Sequence, residues 1–270
     1  MTTPRELLDV GHLSEAVKEL VQQVKAKPAD TSLRVFLFEL LCFEGALDRA
    51  GKQLDVIASQ GNGLGAEVAV QVYRDLLTAE RIRRDVFDGD ALPKFVLTPP
   101  SYADQYVILV KKLRGAPADA LAILPEAEEQ SPSLSGRLGE QAFSTFRDAD
   151  DRIAPVLEVF HGRDYLWLPL EQIRRLQVSE PKSLRDLLWV HAKIETFERS
   201  VGDVFIPVLY VNTHTHVDEQ VRLGRVTDWQ AVEEQLVYGA GRRQFLVDDK
   251  ETSLLELRDV QFDTADQPRP

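Results

Sequence analysis

Two histidines near residue 215 have the residue type and the spacing of metal ligands. His214 and His216 alternate along the chain, so in an extended segment both side chains would point to one face, with Asp218 or Glu219 as a third ligand. The surrounding Asn-Thr-His-Thr-His sequence is typical of a polar loop, whereas metal ligands normally come from rigid elements with supporting hydrogen bonds. We therefore predict that no metal binds here.

A group of acidic residues offers a second route to chemistry. Asp148, Asp150 and Asp151, with Glu158 a few residues further on, could bind a divalent cation or act as general acid and base. The alternative is that the aspartates cap free backbone N–H groups and pair with the neighbouring arginines. We favour capping. A metal-assisted hydrolase built on Asp148–Asp151 or on His214 and His216 remains the competing hypothesis.

Motifs and composition exclude several other classes of function. The sequence has no nucleophile elbow and no phosphate-binding loop, so neither catalytic residues nor a cofactor are expected. A net charge of -12 argues against nucleic acid and favours a basic or apolar protein partner. The single cysteine, Cys42, lies in an apolar stretch and forms no disulfide framework. The sequence lacks a secretory signal and a run of about 20 apolar residues, so we expect a cytoplasmic protein that does not bind membranes.

The first half carries a helical-repeat pattern. A glycine followed five residues later by an alanine recurs at Gly11 and Ala16, at Gly45 and Ala50, and at Gly115 and Ala120. The first two copies are 34 residues apart, which is the period of the tetratricopeptide hairpin. The glycine permits a tight turn between two helices and the alanine permits their close packing. The pattern predicts a tetratricopeptide-like stack of helical hairpins over residues 1–133.

The second half has a different character. After the Ser/Gly-rich stretch at residues 131–136, short apolar segments alternate with turn residues. This pattern predicts a β-rich domain over residues 134–266, built as a curved sheet or small barrel with a short helix near residues 183–188. The predicted fold class is therefore α+β, with a helical domain that folds on its own.

A stack of helical hairpins presents a concave groove to its partners. In the tetratricopeptide phasing, the first helices of the second and third hairpins turn seven side chains towards that groove: Ser32, Val35, Glu39, Tyr102, Gln105, Leu109 and Lys112. Four neighbours are expected in the core: Leu37, Phe38, Leu41 and Val107. An amphipathic helix would bury its apolar stripe in the groove. Val35→Glu or Leu109→Glu should then weaken the binding of that helix and leave the melting temperature of the chain nearly unchanged.

The second half also contains recognisable sequence motifs. They include FRDADDRIAPVLEVF (146–160), YLWLPLEQI (165–173) and RDLLW (185–189), and the first half contributes GHLSEAV (11–17). Together these segments resemble the ImpE/TagJ family, also called SciE, of bacterial type VI secretion accessory proteins. The resemblance runs in order along nearly the whole chain. This sequence departs from the family pattern at Tyr210: the family often has Pro-Gly-Ser after this tyrosine, whereas this chain has Val-Asn-Thr.

The resemblance implies a non-enzymatic cytoplasmic adaptor without a cofactor. Members of the family look like adaptors for the N-terminal helix of the small contractile-sheath subunit, and they are linked to sheath recycling by the ClpV-type unfoldase. Six residues of the motifs could form either a binding surface or the framework of the domain: Asp150, Asp151, Trp167, Arg185, Asp186 and Trp189. We favour the framework, because both tryptophans are bulky and lie within apolar strands.

Overall fold

Helices account for most of the first half of the chain. The computed structural model describes residues 2–61 and 64–264, so residues 265 and 266 of the predicted β-rich domain lie outside the described residues. The helices are α1 (Pro4–Asp9), α2 (Leu13–Ala26), α3 (Thr31–Phe43), α4 (Leu47–Gln60), α5 (Leu64–Phe87), α6 (Ser101–Leu113), α7 (Pro117–Leu121) and α8 (Leu124–Gln130).

Local sequence signals explain the first two hairpins, α1–α2 and α3–α4. Thr3 forms a capping box with Glu6 at the start of α1, and the Asp30 side chain accepts hydrogen bonds from two backbone N–H groups at the start of α3. Gly11 and Gly45 have φ values of +91° and +72°, which allow the tight turns between the helices. The predicted turn glycines of these two hairpins therefore have the conformation that the pattern requires.

Strands account for most of the second half. One strand, β1 (Lys94–Phe95), precedes α6. The others are β2 (Gly136–Leu138), β3 (Gln141–Phe143), β4 (Phe146–Asp148), β5 (Val156–His161), β6 (Asp164–Pro169), β7 (Ile173–Val178), β8 (Trp189–Thr196), β9 (Ser200–Pro207), β10 (Asp228–Val232), β11 (Leu236–Ala240), β12 (Gln244–Val247), β13 (Lys250–Ser253) and β14 (Asp259–Phe262). A short helix, α9 (Glu219–Arg222), lies between β9 and β10.

The strands form one large sheet and two small ones. The large sheet has nine strands in the order β1-β6-β5-β9-β8-β7-β14-β2-β3 and is curved but not closed. Strand β1 runs parallel to β6, whereas β5, β6, β7, β8, β9, β14, β2 and β3 pair antiparallel with their neighbours. Strands β10 and β11 form a hairpin, and β13, β12 and β4 form a three-stranded sheet. The α+β prediction is confirmed, with a curved sheet in place of a barrel.

The helices and the large sheet share a hydrophobic core. One buried cluster includes Leu20 and Phe43 of the helices together with Val156, Trp167 and Trp189 of the sheet. A second cluster lies entirely in the β-rich half. Helix α8 ends at Gln130 and β2 begins at Gly136, so the structure changes from helix to strand within the predicted boundary. Independent folding of the two halves stays a prediction.

Candidate functional site

His214 packs against the turn of the second helical hairpin. A Cβ atom on Gly45 would lie 2.1 Å from Cδ2 of its ring, so the histidine occupies the space that the glycine leaves open. Arg84 donates a hydrogen bond of 3.0 Å from Nη1 to the Gly45 carbonyl at the same place. Burial, together with the positive charges of Arg84 and Arg222, lowers the pKa of His214 to about 4. The neutral ring therefore acts as a packing group.

His216 has its own partners. Its Nε2 atom lies 3.1 Å from Oδ2 of Asp228, and its Nδ1 accepts a hydrogen bond of 3.1 Å from the backbone N–H of Asp218. Both ring nitrogens are thus occupied within the chain. Among residues 2–61 and 64–264, no group of three or more His, Cys, Asp or Glu side chains is placed to hold a metal ion. These contacts do not support the metal site of the hydrolase hypothesis.

Four charged side chains meet between the helices and the sheet, and we call them the buried ion cluster: Arg83, Asp148, Glu158 and Arg243. Each is at most 2% exposed. Glu158 of β5 accepts hydrogen bonds from Arg83 Nε at 2.7 Å and Nη2 at 2.9 Å, and its Oε2 lies 3.1 Å from Arg243 Nη1. Arg243 Nε donates in turn to Asp148 Oδ2. The cluster therefore links α5 to three parts of the β-rich half.

The two carboxylates of the buried ion cluster differ in acidity. Burial opposes the ionisation of Glu158, but the guanidinium groups of Arg83 and Arg243 outweigh it and hold the pKa of Glu158 at about 2. Burial raises the pKa of Asp148 to about 6, because the attraction of Arg243 compensates only part of the lost hydration. Glu158 is the firmly ionised centre of the cluster.

Aromatic hydroxyl and indole groups complete the hydrogen bonding of these carboxylates. Tyr165 donates from its hydroxyl to Glu158 Oε1 at 2.6 Å, and Trp167 donates from Nε1 to the Tyr165 oxygen at 2.6 Å. Tyr210 donates to Asp148 Oδ1 at 3.0 Å. Trp167 is fully buried. This tryptophan of the family motif thus supports the buried ion cluster and is not accessible to a partner.

Asp150 and Asp151 connect separate segments of the β-rich half through ion pairs and hydrogen bonds. Asp150 forms an ion pair of 2.6 Å with Arg152, while Asp151 accepts from Arg147 Nη1 at 2.8 Å. Asp151 also accepts a hydrogen bond of 2.7 Å from the backbone N–H of Val237 in β11. The aspartates are therefore engaged in arginine pairing and backbone capping, as the alternative to a metal site predicted.

The motif segment before β8 packs against the helices. The Asp186 side chain accepts from the backbone N–H of Ser183 at 2.9 Å and closes a capping box on a short 3₁₀ turn. The Arg185 guanidinium lies 4.9 Å from the centre of the Tyr73 ring of α5. Trp189 is buried in the core that the helices and the large sheet share. The β-rich half thus packs against α5 at this point, and the Arg185 charge also acts on Glu39 of the predicted groove.

The predicted groove residues differ in exposure. Glu39, Tyr102 and Leu109 are buried, Val35 and Gln105 are half-buried, and Ser32 and Lys112 are exposed. Leu37, Phe38 and Leu41 lie in the core as predicted, whereas Val107 is only half-buried. The placement of Glu39 on an open groove is wrong, and so is the placement of Tyr102 and Leu109 of α6.

The physical reason for this error is the packing of α6. Tyr102 and Tyr106 face Phe146, Ala154 and Pro155 of the β-rich half across a cleft. The β-rich half therefore covers the side of α6 that an isolated helical stack would leave open. A glutamate at position 109 would enter the core, where an unpaired charge destabilises the fold.

Glu39 lies at the base of the part of the predicted groove that α3 contributes. It is 8% exposed, and burial raises the pKa of its carboxyl, with Arg185 and Arg5 acting in the opposite direction. Its surroundings are therefore formed partly by the chain's own arginines.

Sequence reasoning missed the two arginines of the buried ion cluster and the two tyrosines, Tyr165 and Tyr210, that donate hydrogen bonds to its carboxylates. Arg83 lies in a segment rich in charged residues, and nothing in that segment indicates that its side chain is buried. In the structure it is 2% exposed. One signal was available: Glu158 interrupts the apolar strand Val156–Phe160, where a lone charge needs a partner. The identity of that partner depends on tertiary packing.

A comparison with known proteins decides the family. The type VI secretion system accessory component TagJ of Pseudomonas aeruginosa is 36% identical over 262 residues, which cover 97% of this chain and 91% of that protein. The chain belongs to the ImpE/TagJ family. The family model described as ImpE protein matches residues 140–261, which lie in the β-rich half of this ImpE/TagJ member. The chain is therefore an accessory protein of type VI secretion.

A solved structure has the same fold. The crystal structure of protein VPA1032 from Vibrio parahaemolyticus superimposes with a TM-score of 0.88 at 25% identity, covering 96% of this chain and 97% of that one. Both halves of the ImpE/TagJ chain thus have counterparts there. Within the described residues, none of the helices is long and apolar enough to cross a membrane.

Proposed function

We propose that this chain is a non-enzymatic cytoplasmic adaptor that binds the N-terminal helix of the small type VI sheath subunit. In this role it assists sheath assembly or recycling with the ClpV-type unfoldase. The observation that carries the proposal is the 36% sequence identity, over nearly the full length of the chain, to an accessory component of that system. A role in binding also suits a helical stack joined to a β-rich half, since such stacks usually present surfaces to other proteins.

The charged residues of the interior favour an adaptor over an enzyme. The carboxylates that might act in catalysis, Asp148, Asp150, Asp151 and Glu158, all have arginine partners inside the chain. A general acid or base must reach a substrate, and Asp148 and Glu158 are fully buried. These groups therefore stabilise the fold in our proposal.

We place the sheath helix on a surface that we call the α3 face, which consists of Ser32 and Val35 of the predicted groove together with the neighbouring Arg5 and Phe36. Val35 and Phe36 are half-buried apolar side chains, and the Arg5 guanidinium lies 5.5 Å from the centre of the Phe36 ring. An amphipathic helix could bury its apolar stripe on these two residues. Gln105 and Lys112 of α6 stay candidates for additional polar contacts.

A titration of the full chain with a synthetic peptide of the sheath subunit's N-terminal helix tests this proposal. We expect Val35→Glu to weaken binding at least ~10-fold, about 1.4 kcal/mol, because it places a charge in a desolvated contact. Ser32→Tyr, at an exposed position, should also weaken binding by steric hindrance. The matched control is Val226→Glu, which alters an apolar side chain of the β-rich half that is 52% exposed and belongs neither to the α3 face nor to α6.

The outcomes separate the function from its location. If the unmodified chain does not bind the peptide, the sheath-adaptor proposal is wrong. If it binds but Val35→Glu and Ser32→Tyr have the affinity of the control, the sheath helix uses another surface. Melting temperatures of all three variants show whether a loss of binding reflects a loss of folding.

A further inference from the structure

A cleft lies where α6 and α8 meet β4 and β12. Its volume is about 450 Å³, within the range of roughly 300–1,000 Å³ that is usual for ligand sites. The walls are mostly apolar and include Tyr102, Tyr106, Pro132, Phe146 and Leu246. None of these residues belongs to the α3 face, so the cleft is a separate surface.

Two tyrosines form one wall of the cleft. Tyr102 and Tyr106 are four residues apart on α6 and therefore lie on the same side of the helix. Burial raises the pKa of Tyr106 to about 12, and burial with the nearby Glu171 carboxylate raises the pKa of Tyr102 further. Both hydroxyls remain protonated donors at neutral pH. The Tyr102 hydroxyl is buried beside the Glu171 carboxylate, but it makes no hydrogen bond of normal geometry within the part of the chain that the structure describes.

The charged residues at the rim of the cleft differ in whether they have a partner within the chain. Arg147 is paired with Asp151 at 2.8 Å, and Asp248 accepts hydrogen bonds from the backbone N–H groups of Ser144 and Thr145. Glu128 is exposed and has no ion pair within the described ranges, and partial burial raises the pKa of its carboxyl. The charge available to a ligand at this rim is therefore negative.

We propose that this cleft binds an extended, proline-containing segment of a protein partner that carries a basic residue next to the proline. A polyproline II segment has no internal hydrogen bonds, so its carbonyl groups are free to accept from the Tyr102 hydroxyl. A helix uses most of its carbonyls internally and offers few such acceptors. Proline rings pack well against aromatic walls, and the segment is already extended before it binds, which reduces the entropic cost. The basic residue pairs with Glu128.

Titration of the ¹⁵N-labelled full chain with blocked peptides, followed by NMR, tests the inference. The probe is Pro-Pro-Arg-Pro-Pro, and the comparison peptides are Pro-Pro-Glu-Pro-Pro and Ala-Ala-Arg-Ala-Ala. We expect the probe to shift the signals of residues that line the cleft and to bind more tightly than either comparison peptide. Tyr102→Phe removes only the hydroxyl and should weaken binding about threefold or more, the effect of one hydrogen bond.

Reversal of the rim charge tests the ionic contact. Glu128→Lys should reverse the preference between the arginine and glutamate peptides. Glu129→Lys is the matched control, because Glu129 is an exposed neighbour that does not line the cleft. The inference is wrong if the probe leaves the cleft signals unchanged, if it binds at the α3 face, or if Tyr102→Phe and Glu128→Lys bind as the unmodified chain does. None of these results depends on whether the sheath helix binds.

Discussion

Arg83 shows how single residues join the two halves of the molecule. It extends from α5 and donates two hydrogen bonds to Glu158, and its Nη2 atom also donates to the Leu209 carbonyl at 3.0 Å. Burial of a charged pair costs hydration free energy, so the pair is stable only while both partners are present. Loss of one partner leaves the other as an unpaired charge in the core.

We therefore expect Arg83→Met to lower the free energy of unfolding by ~3–5 kcal/mol, because Glu158 loses its main partner in the interior. The matched control is Arg81→Met two residues earlier, where the arginine pairs with Asp48 at 2.9 Å and is 42% exposed. An exposed pair of this kind contributes at most about 1 kcal/mol. Urea denaturation measures both variants. Equal losses would mean that the buried pair has no special role.

The acidity of Glu158 makes the stability depend on pH. Its pKa of about 2 in the folded chain lies below the ordinary value of 4.5, so the folded state holds the ionised form more tightly. The stabilisation is complete above pH 4.5 and is lost as the pH falls towards 2. Asp148 acts in the opposite direction: its pKa is raised from 3.8 to about 6, so its contribution declines as the pH rises through that window.

Unfolding measurements from pH 7 to pH 2 test this assignment. We expect the free energy of unfolding to fall below pH 4.5 by an amount on the order of 3 kcal/mol from Glu158, which corresponds to the difference between the two pKa values. Glu158→Gln should be less stable at pH 7 and should lack this part of the acid dependence. If the variant shows the same slope below pH 4.5 as the unmodified chain, other carboxylates cause the acid unfolding.

At the scale of elements, the spacing of glycine and alanine predicted the helical hairpins but not their orientation. Val107 and Ile108 of α6 occupy the positions that correspond to Leu37 and Phe38 of α3, which are buried. Ile108 is 45% exposed, and the neighbouring Leu109 is buried in its place. The repeat pattern fixes a helical period, whereas the face that is buried depends on which element packs against the helix. On α6 that element is the β-rich half, and the repeat contains no information about it.

The same comparison distinguishes the turn glycines. Gly45 has a φ of +72°, and an added Cβ would clash with the His214 ring at 2.1 Å. Gly115 lies outside the left-handed region and has no atom within 4 Å of an added Cβ. We expect Gly45→Ala to destabilise the chain by more than about 1 kcal/mol, whereas Gly115→Ala should be neutral or stabilising by less than about 1 kcal/mol. Thermal unfolding of the two variants measures the difference. Similar losses would indicate that both turns need glycine.

At the scale of the whole molecule, sequence reasoning predicted the α+β class, but it did not predict that β1, within the helical half, joins the large sheet. It predicted neither the shared core nor the ionic contacts across it. Helical periodicity and strand alternation are local properties, which a chain of residues displays directly. The contact between Arg83 and Glu158 spans 75 residues and depends on the docking of two complete elements. The candidate binding surfaces follow from that docking, because it determines which helix faces remain accessible.

The shared core also bears on whether residues 1–133 fold alone. Removal of the β-rich half would expose the apolar surface that α3, α5 and α6 bury against it, leave Arg83 without Glu158, and leave β1 without β6. In contrast to the prediction of independent folding made from the sequence alone, we therefore expect a fragment of residues 1–133 to keep helical circular dichroism but to melt over a broad range, at a lower temperature than the full chain. Addition of a fragment of residues 134–270 should restore a sharp transition, because the two halves bury each other's apolar surface. A sharp transition of fragment 1–133 alone, at the temperature of the full chain, would instead establish the helical half as an autonomous domain. The interface would then serve to position the α3 face, and its buried charges would contribute orientation in place of folding stability.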